Sequence, residues 1–277
     1  MNKLSFFIFF LLRLLSKFFY FFLRKDILSY LYLHLRDKYS YIYILKEKII
    51  FFSPNPVLNW RIKTFYSKEP ETLSWIDNFK NNNNIIFWDI GANIGLYSIY
   101  CSIKKKNIKT YAFEPSFLNL FPLSKNISLN KLERQIKIMQ IPLHNKNKSY
   151  FNFYESSKFE GGALSSFEIK KTVEYNRYSI LGLRADYLIK NNFCKNPNYI
   201  KIDVDGNEYL ILKGLGKYLL NKNLHEILIE IDENRIKQKK KILTILKKSG
   251  FVCYKKVDNN FNKQINENTF NYFFKRI

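Results

Sequence analysis

The stretch IIFWDIGANIGLYS, residues 85–98, decides the fold, because it combines an apolar strand, a glycine-containing turn and the start of a helix. Gly91 and Gly95 allow a ligand to approach the backbone where a Cβ atom would collide with it. The helix that follows directs free N–H groups at the same place. This order of elements predicts a site for a nucleotide-like cofactor, and its candidate binding residues are Asp89, Gly91, Asn93 and Gly95.

A second predicted strand, KTYAFE at residues 109–114, ends in Glu114 and is followed by Pro115. A carboxylate about twenty residues after the glycine turn can accept hydrogen bonds from both hydroxyls of a ribose. The turn has the pattern D-x-G-x-N-x-G, not G-x-G-x-x-G, and no G-K-[ST] follows it, so pyrophosphate binding is disfavoured. Adenosine without phosphates fits better, and this indicates S-adenosylmethionine, with Glu114 and Pro115 as further cofactor residues. For the turn alone, the alternative is an ordinary connection between a strand and a helix.

From residue 85 onward, predicted strands alternate with helices, which is typical of an α/β protein with a parallel sheet. Only a loop, residues 258–268, separates the last two strands, so they should form an antiparallel hairpin. We therefore predict a Rossmann-like class I methyltransferase fold, with a seven-stranded, mostly parallel sheet and an N-terminal helical extension. The predicted strands are residues 85–89, 109–113, 136–141, 199–203, 226–231, 251–257 and 269–275.

An insertion separates the third and fourth predicted strands of this sheet. It contains a predicted strand at residues 150–154, the loop GGALSS at 161–166 and a helix near 185–190. Insertions that lie above the carboxyl ends of sheet strands commonly determine which substrate an enzyme accepts. We therefore expect the insertion to face the acceptor.

Acidic residues follow the fourth and fifth predicted strands. The segment YIKIDVDGNE, residues 199–208, places Asp203 and Asp205 on one face of an extended chain, and Glu230 ends the neighbouring strand. Crowded carboxylates can raise one pKa until that group serves as a base, or they can hold a divalent cation. Asp203, Asp205 and Glu230 are the candidate catalytic residues; no metal ligands are assigned, although a divalent metal is not excluded. Alternatively, Asp205 and Glu208 form a capping box that only starts a helix.

The chain ahead of residue 85 is predicted to form two segments. The polar run Asn81–Asn84 marks the boundary to the cofactor domain, and the turn Pro54-Asn55-Pro56 should connect two strands of a hairpin. The predicted segments are a helical extension at 1–47 with a helix over Asp26–Lys46, a region at 48–84 with strands at 48–52 and 60–65 and a helix at 73–77, and an S-adenosylmethionine-binding domain at 85–277.

The residues from Leu4 to Leu23 are almost continuously apolar and are long enough to cross a bilayer. Arg13 and Lys17 interrupt them near the centre, where a charge is unfavourable in lipid. On a helix these two cations share one narrow stripe with Arg24, which predicts a helix that lies on an anionic membrane surface through residues 4–24. The alternatives are a helix that packs on the protein's own body or on a second subunit, and a helix that spans the membrane.

The formal net charge of +23 favours an anionic partner, either nucleic acid or anionic lipid. The lysines come with many Asn, Ile, Phe and Tyr residues that share A/T-rich codons, so a genome of low G+C content is an equal explanation. Three scattered cysteines without C-x-x-C spacing exclude a disulfide framework and a zinc knuckle. We therefore expect a cytoplasmic protein, which the apolar N-terminal segment would attach to the inner face of the cytoplasmic membrane.

Three motifs resemble those of the FkbM-type S-adenosylmethionine-dependent methyltransferases: D-I-G-A-N-I-G at residues 89–95, A-F-E-P at 112–115 and K-I-D-V-D-G-N-E at 201–208. The resemblance runs from about Trp60 to Asp232 and includes K-E-P-E-T at residues 68–72. The chain departs from the family at Asp205, where many members have glutamate. That family is associated with O-methylation of sugars, polyketides and related small molecules. The resemblance therefore implies methylation of a hydroxyl on a saccharide, a glycolipid or another small molecule.

Two other functions remain as alternatives. Methylation of RNA is suggested by the positive charge and the many aromatic residues. However, the chain has Asn196-Pro197-Asn198-Tyr199 before its fourth predicted strand instead of N-P-P-Y after it, so nucleic acid is not the expected partner. The second alternative is a non-catalytic scaffold of methyltransferase fold at a membrane. The oligomeric state is not predicted.

Overall fold

A seven-stranded sheet forms the centre of the computed structural model, which describes residues 3–80, 84–162, 166–167, 175–258 and 268–277. Its strands are β3 (Ile85–Ile90), β4 (Ile108–Phe113), β5 (Ile136–Met139), β9 (Tyr199–Ile202), β10 (Glu226–Asp232), β11 (Phe251–Asp258) and β12 (Thr269–Arg276). The order in the sheet is β11-β12-β10-β9-β3-β4-β5. Only β12 runs antiparallel to its neighbours, β10 and β11. The predicted Rossmann-like class I methyltransferase fold is confirmed, including its antiparallel final hairpin.

Helices cover both faces of this sheet. Along β3, Ile85 and Phe87 enter one hydrophobic core, whereas Ile86, Trp88 and Ile90 enter a second one, because successive side chains of a strand point to opposite faces. The helices are α1 (Lys3–Leu23), α2 (Ile27–Arg36), α3 (Pro56–Lys63), α4 (Phe65–Lys68), α5 (Pro70–Asp77), α6 (Leu96–Lys104), α7 (Phe117–Leu129), α8 (Ala185–Lys190), α9 (Glu208–Leu215) and α10 (Ile236–Lys248), with a 3-10 helix at Gly216–Leu220.

The direction of the chain across the sheet reverses between β3 and β9. From β3 the chain proceeds outward to β4 and β5, and it then returns to place β9 on the other side of β3. In open α/β sheets a ligand binds outside the carboxyl ends of the strands at such a reversal point. The glycine turn after β3 and the acidic segment after β9 meet there.

The N-terminal hairpin differs from the prediction. The helix expected over Asp26–Lys46 ends at Arg36, and the chain continues as β1 (Tyr39–Ile44), which pairs with β2 (Glu47–Phe52). The alternation of exposed and buried side chains along β1 explains the difference. The tyrosines of β1 are exposed, while Ile42 and Ile44 are buried. The connecting residues Leu45 and Lys46 both have positive φ angles, as a tight hairpin turn requires.

The strand predicted at residues 60–65 is wrong, because this part of the chain forms α3. The Asn55 side chain accepts a hydrogen bond from the backbone N–H of Leu58, and Pro56 occupies the first turn. An asparagine cap followed by proline is a helix start signal, not the hairpin connection that we expected. The helix predicted at residues 73–77 is confirmed as part of α5, which also begins with a proline.

The insertion forms a small antiparallel sheet beside the main one. Its strands are β6 (Ser149–Glu155), β7 (Ser166–Phe167) and β8 (Asn176–Gly182), in the order β7-β6-β8. The predicted strand at 150–154 and helix at 185–190 are confirmed as β6 and α8. Residues 163–165 of the predicted loop at 161–166 lie outside the described residues, as do residues 81–83 of the predicted boundary and 259–267 of the last loop. The domain limits stay a prediction.

The N-terminal helix α1 has most of its large apolar side chains exposed, and Phe21 is 70% exposed. Among the described residues of α1 only Ser16 is buried, and its hydroxyl donates to a carboxylate oxygen of Asp26 at 3.3 Å. Packing on the protein's own body, one of the alternatives for this segment, is therefore not what the described part of the chain shows. The helix is long and apolar enough to cross a membrane by length and composition.

Candidate functional site

The turn between β3 and α6 approaches the neighbouring strand so closely that only glycine fits. Gly91 has a φ of +86°, and a Cβ atom there would lie 1.9 Å from the carbonyl oxygen of Asp203. Gly95 has a φ of +85°, and Asn93 between them also has a positive φ of 51°. The backbone N–H groups of Gly91 and Ala92 donate to the carbonyl oxygen of Phe113, which ties the turn to the end of β4.

Glu114, directly after β4, is buried and faces this turn. Its carboxylate accepts hydrogen bonds from the backbone N–H groups of Asn93 at 2.7 Å and Ser116 at 2.9 Å. Burial raises the pKa of Glu114 to about 7, against the opposing effect of these hydrogen bonds. Each carboxylate oxygen can accept a second hydrogen bond, so the group can still bind a diol. The carbonyl oxygen of the adjacent Pro115 accepts from the Tyr178 hydroxyl at 3.4 Å.

Asp89 is fully buried at the end of β3. Its Oδ2 accepts from the Ser98 hydroxyl at 2.6 Å, whereas its Oδ1 has no hydrogen-bond partner among the described residues. Burial raises the pKa of Asp89, and the neighbouring Lys201, its register partner on β9, opposes that rise. A buried polar atom without a partner is costly unless a ligand or water satisfies it, so Asp89 is suited to a bound polar group.

The insertion reaches the cofactor turn through Gly161 and Gly162. The side-chain amide of Asn93 donates to the carbonyl oxygen of Gly162 at 2.9 Å, and the Asn119 side chain accepts from the Gly161 N–H at 2.9 Å. The Oδ1 atom of Asn93 has no partner within the part of the chain that the structure describes. One side of the site is therefore closed by the described end of the predicted GGALSS loop.

On the other side of the turn, Asp203 follows β9. Its Oδ2 accepts from Nζ of Lys201 at 2.6 Å, and that lysine is almost completely buried. Burial alone would raise the pKa of Asp203, but Lys201, Lys68 and Arg61 lower it to about 2. Asp203 is therefore a permanent negative charge at the edge of the site.

Asp205 and Glu230 line a cavity of about 40 Å³, next to Asp203. Burial raises the pKa of Glu230 well above its usual value, and the negative charges of Asp203 and Glu69 raise it further. Glu208 lines the same cavity, and burial raises its pKa to about 8. The three predicted catalytic carboxylates thus lie together at the carboxyl-terminal ends of β9 and β10. Among them Glu230 is the group most inclined to hold a proton.

The capping box expected for Asp205 and Glu208 is not formed in the predicted way. Asn207 occupies the N-cap position of α9, and Gly206 before it has a φ of +109°, so the helix begins beyond Asp205. The Glu208 carboxylate accepts from the Gly206 N–H at 2.9 Å and from the Gln238 side chain. Asp205 precedes the N-cap position of α9 and lines the cavity.

Four further residues line the site, and three of them lie ahead of β3 in the sequence. A cavity of about 40 Å³ beside Gly91 and Asp203 is also lined by Arg61, Lys68, Glu69 and Tyr97. The motif K-E-P-E-T at residues 68–72 was the available signal for two of them. Arg61 carried no signal, because it lies in a segment that was expected to be a strand.

The donor groups present fit S-adenosylmethionine. The glycine cradle, the buried Glu114 and the unsatisfied atoms Asp89 Oδ1 and Asn93 Oδ1 are all suited to a nucleoside with an amino-acid tail. Within the described ranges, His, Cys, Asp and Glu side chains form no group of three or more that could hold a metal ion.

Comparisons with known proteins identify the family of the chain. The model of the FkbM methyltransferase domain family matches residues 89–253, more than half of the chain. The chain is 25% identical to hexuronic acid methyltransferase AglP of Haloferax volcanii over 175 residues, 62% of this chain and 65% of that protein. It is 30% identical to methyltransferase sdnD of Sordaria araneosa over 166 residues, 50% of this chain and 63% of that protein. The matched regions thus span somewhat less than two thirds of these relatives.

Two solved structures have a distantly similar fold. One is precorrin-6y C5,15-methyltransferase from Geobacter metallireducens, with 13% identity, a TM-score of 0.45 and coverage of 75% of this chain and 86% of that chain. The other is a putative rRNA methylase from Clostridium thermocellum, with 12% identity, a TM-score of 0.47 and coverage of 76% and 96%. The class of fold follows from the strand order, and the family follows from the sequence match. The chain belongs to the FkbM methyltransferase family.

Proposed function

We propose that the protein transfers a methyl group from S-adenosylmethionine to a hydroxyl oxygen of a saccharide or a related small molecule. One observation carries the proposal: a half-buried carboxyl with a raised pKa, Glu230, lies at the same carboxyl-terminal end of the strands as the glycine turn and Glu114. When bound, the cofactor supplies a methyl group on a positively charged sulfur. The protein must then hold the cofactor, orient the acceptor and remove its proton.

Glu114 holds the ribose in this proposal. Its two oxygens face the end of β4 and remain able to accept hydrogen bonds from a diol. Asp89 and Asn93 each offer one unsatisfied oxygen to polar groups of the ligand, among the described residues. Gly91 and Gly95 keep the turn open, and Pro115 fixes the direction of the chain after Glu114.

Glu230 accepts the proton of the acceptor hydroxyl. A base is most effective when its pKa lies near the working pH, and burial next to Asp203 moves the pKa of Glu230 upward from its usual value. Asp203 itself is a weak base, because its pKa is about 2. Its charge instead raises the proton affinity of Glu230, while Asp205 lines the cavity at whose opening the acceptor would lie.

The acceptor class is supported by the polar lining of that cavity and by the nature of one relative. Asp205, Glu208, Asp232, Arg235 and Gln238 surround it. Carboxylate, amide and guanidinium groups can form hydrogen bonds with several hydroxyls of one sugar. AglP is named a hexuronic acid methyltransferase, so a saccharide acceptor is consistent with the family relationship.

The test is a methyl-transfer assay with labelled cofactor against fractionated glycans, lipid-linked glycans and RNA. We expect transfer to a glycan fraction, and we expect Glu230→Gln to lower turnover about 100-fold or more while the affinity for S-adenosylhomocysteine changes little. Glu133→Gln is the matched control, since Glu133 is exposed at the opposite edge of the sheet. Transfer to RNA alone, or undiminished turnover of Glu230→Gln, would contradict the proposal.

We also propose that α1 attaches the protein to an anionic membrane surface, on the cytoplasmic side. The helix has exposed phenylalanine and leucine side chains along its length, and Arg13 and Lys17 lie on one stripe of it. Apolar residues of such a helix enter the lipid while the cations remain at the headgroups. The membrane would bring a lipid-linked acceptor to the site.

A further inference from the structure

Arg61 is a cation in the wall of the cofactor cavity, and the described residues provide no ion-pair partner for it. Its side chain is half-buried on α3, and burial lowers the pKa of its guanidinium, although the charges of Asp203 and Glu69 oppose this. Its Nε donates to the carbonyl oxygen of Gly161. No carboxylate of the described ranges lies within 4.0 Å of it, and neither terminal nitrogen donates to a described residue. A guanidinium that is always charged is thus partly removed from water with two donor groups unused.

The other two cations of the same cavity differ from Arg61 in this respect. Lys201 lies 2.6 Å from a carboxylate oxygen of Asp203, and Lys68 lies 3.3 Å from a carboxylate oxygen of Glu69. Both lysine charges are therefore compensated by this chain, and both carboxylates remain next to the cavity. The guanidinium of Arg61 is left to attract an anion from outside.

We propose that Arg61 binds the α-carboxylate of the amino-acid part of S-adenosylmethionine, an inference that rests on the proposed function. The cavity of Arg61 begins at Gly91 and Asn93, so it continues from the turn that would hold the nucleoside. A guanidinium binds a carboxylate through two parallel hydrogen bonds, and its unused terminal nitrogens have that arrangement. The carboxylates of Glu69 and Asp203 in the same wall are paired with lysines, but their oxygens can each accept a further hydrogen bond, here from the α-ammonium group.

Two other roles for Arg61 make different predictions. If it bound a carboxylate of the acceptor, its removal would leave cofactor affinity unchanged. If it only supported the Gly161 turn, its removal would weaken every ligand of the nucleoside site equally. Only binding of the cofactor's carboxylate makes the effect depend on whether the ligand possesses that group.

The experiment is isothermal titration of the full chain with two ligands, without acceptor. S-adenosylhomocysteine has the aminocarboxylate, whereas 5′-methylthioadenosine has the same nucleoside thioether without it. We expect Arg61→Gln to lower the affinity for S-adenosylhomocysteine about 10- to 100-fold. The affinity for 5′-methylthioadenosine should fall less than about twofold. Lys63→Gln, an exposed residue on the same helix, is the control and should change neither affinity.

A second probe requires no variant. Decarboxylated S-adenosylmethionine differs from S-adenosylmethionine only by the missing carboxylate, and its affinity for the wild-type chain should be about 10- to 100-fold lower than that of S-adenosylmethionine. The inference would be overturned if Arg61→Gln lost affinity for both ligands equally or for neither. It would also be overturned if the wild-type chain bound the decarboxylated probe as tightly as S-adenosylmethionine. If the wild-type chain binds neither nucleoside, the proposed function fails as well.

Discussion

Nζ of Lys201 lies 2.6 Å from Oδ2 of Asp203, at the end of the strand that adjoins the cofactor turn. The lysine is almost completely buried, so the pair is an internal one, and it keeps Asp203 charged with a pKa of about 2. This contact distinguishes the roles of the acidic residues. Asp203 provides a fixed negative charge, and Glu230 beside it becomes the group that can take a proton.

The pair predicts a large effect of removing one partner. Lys201→Met should destabilise the protein by about 3 kcal/mol, because it leaves a partly buried carboxylate without its main counter-charge. Urea unfolding measures the difference. The double variant Lys201→Met/Asp203→Asn should recover part of the loss, since both charges are then gone. A double variant that is less stable than the single one would contradict this explanation.

Gly91 predicts a steric effect that can be separated from backbone strain. Gly91→Ala should destabilise the chain by several kcal/mol more than Gly250→Ala in thermal unfolding. Both glycines have a φ above +80°, but only at position 91 would the new Cβ meet a carbonyl oxygen at 1.9 Å; at position 250 the nearest atom lies 3.5 Å away. Strain alone costs about 1–2 kcal/mol at each site. Equal effects of the two changes would count against the close approach.

Glu114 predicts a pH dependence of cofactor binding. Its pKa of about 7 in the folded protein means that the carboxylate, the better acceptor for a diol, is lost as the pH falls through 7. The affinity for S-adenosylhomocysteine should therefore drop several-fold between about pH 8 and pH 6, and titration calorimetry measures it. Glu114→Gln should bind about tenfold more weakly at the higher pH and show no such dependence.

The stability of the ligand-free protein should depend on pH in the opposite direction to the cofactor affinity. A raised pKa in the folded state means that the contribution of Glu114 to stability is present below its ordinary pKa and is lost as the pH rises through about 7. The ligand-free protein should therefore lose stability between about pH 4.5, near the ordinary pKa of the group, and about pH 7. A wild-type affinity that is constant from pH 6 to 8 would exclude Glu114 as the ribose ligand.

The N-terminal helix predicts lipid binding. The full chain should float with vesicles that contain phosphatidylglycerol, and Leu11→Glu/Phe18→Glu should reduce the bound fraction at least about tenfold, because two exposed apolar side chains of α1 become charged. Phe159→Glu, which alters an exposed phenylalanine elsewhere, is the control. Unchanged flotation of the α1 variant would show that lipid does not cover this helix.

The sheet and the cofactor turn could be predicted because their signals are local. Apolar runs, glycines and the acid at the end of β4 lie within short segments, and β3, β4 and β9 to β12 were placed to within a few residues. The prediction of a helix over Tyr39–Ile44 is wrong, because the apolar run that precedes this segment suggests a continuing helix, whereas the alternation within it is the pattern of a strand. The position of Asp205 depended on the φ of Gly206, which no neighbouring residue specifies.

Arg61 could not be predicted from the sequence as part of the site. It lies on α3, and it meets Gly161 and the environment of Asp203 only after the chain has folded. Its two neighbours in the cavity, Lys68 and Glu69, were noticed only through the family resemblance. Contacts between residues about 100 positions apart have no periodic signal in the sequence.

The central claim is that the crevice between the ends of β3, β4 and β9 holds the cofactor. A crystal structure of the full chain grown with saturating S-adenosylhomocysteine tests it most directly. We predict that both ribose hydroxyls lie within about 3.2 Å of the Glu114 carboxylate and that the sulfur faces Asp203 and Glu230. A ligand bound elsewhere, or a crevice that remains filled by the protein's own side chains, would contradict the account.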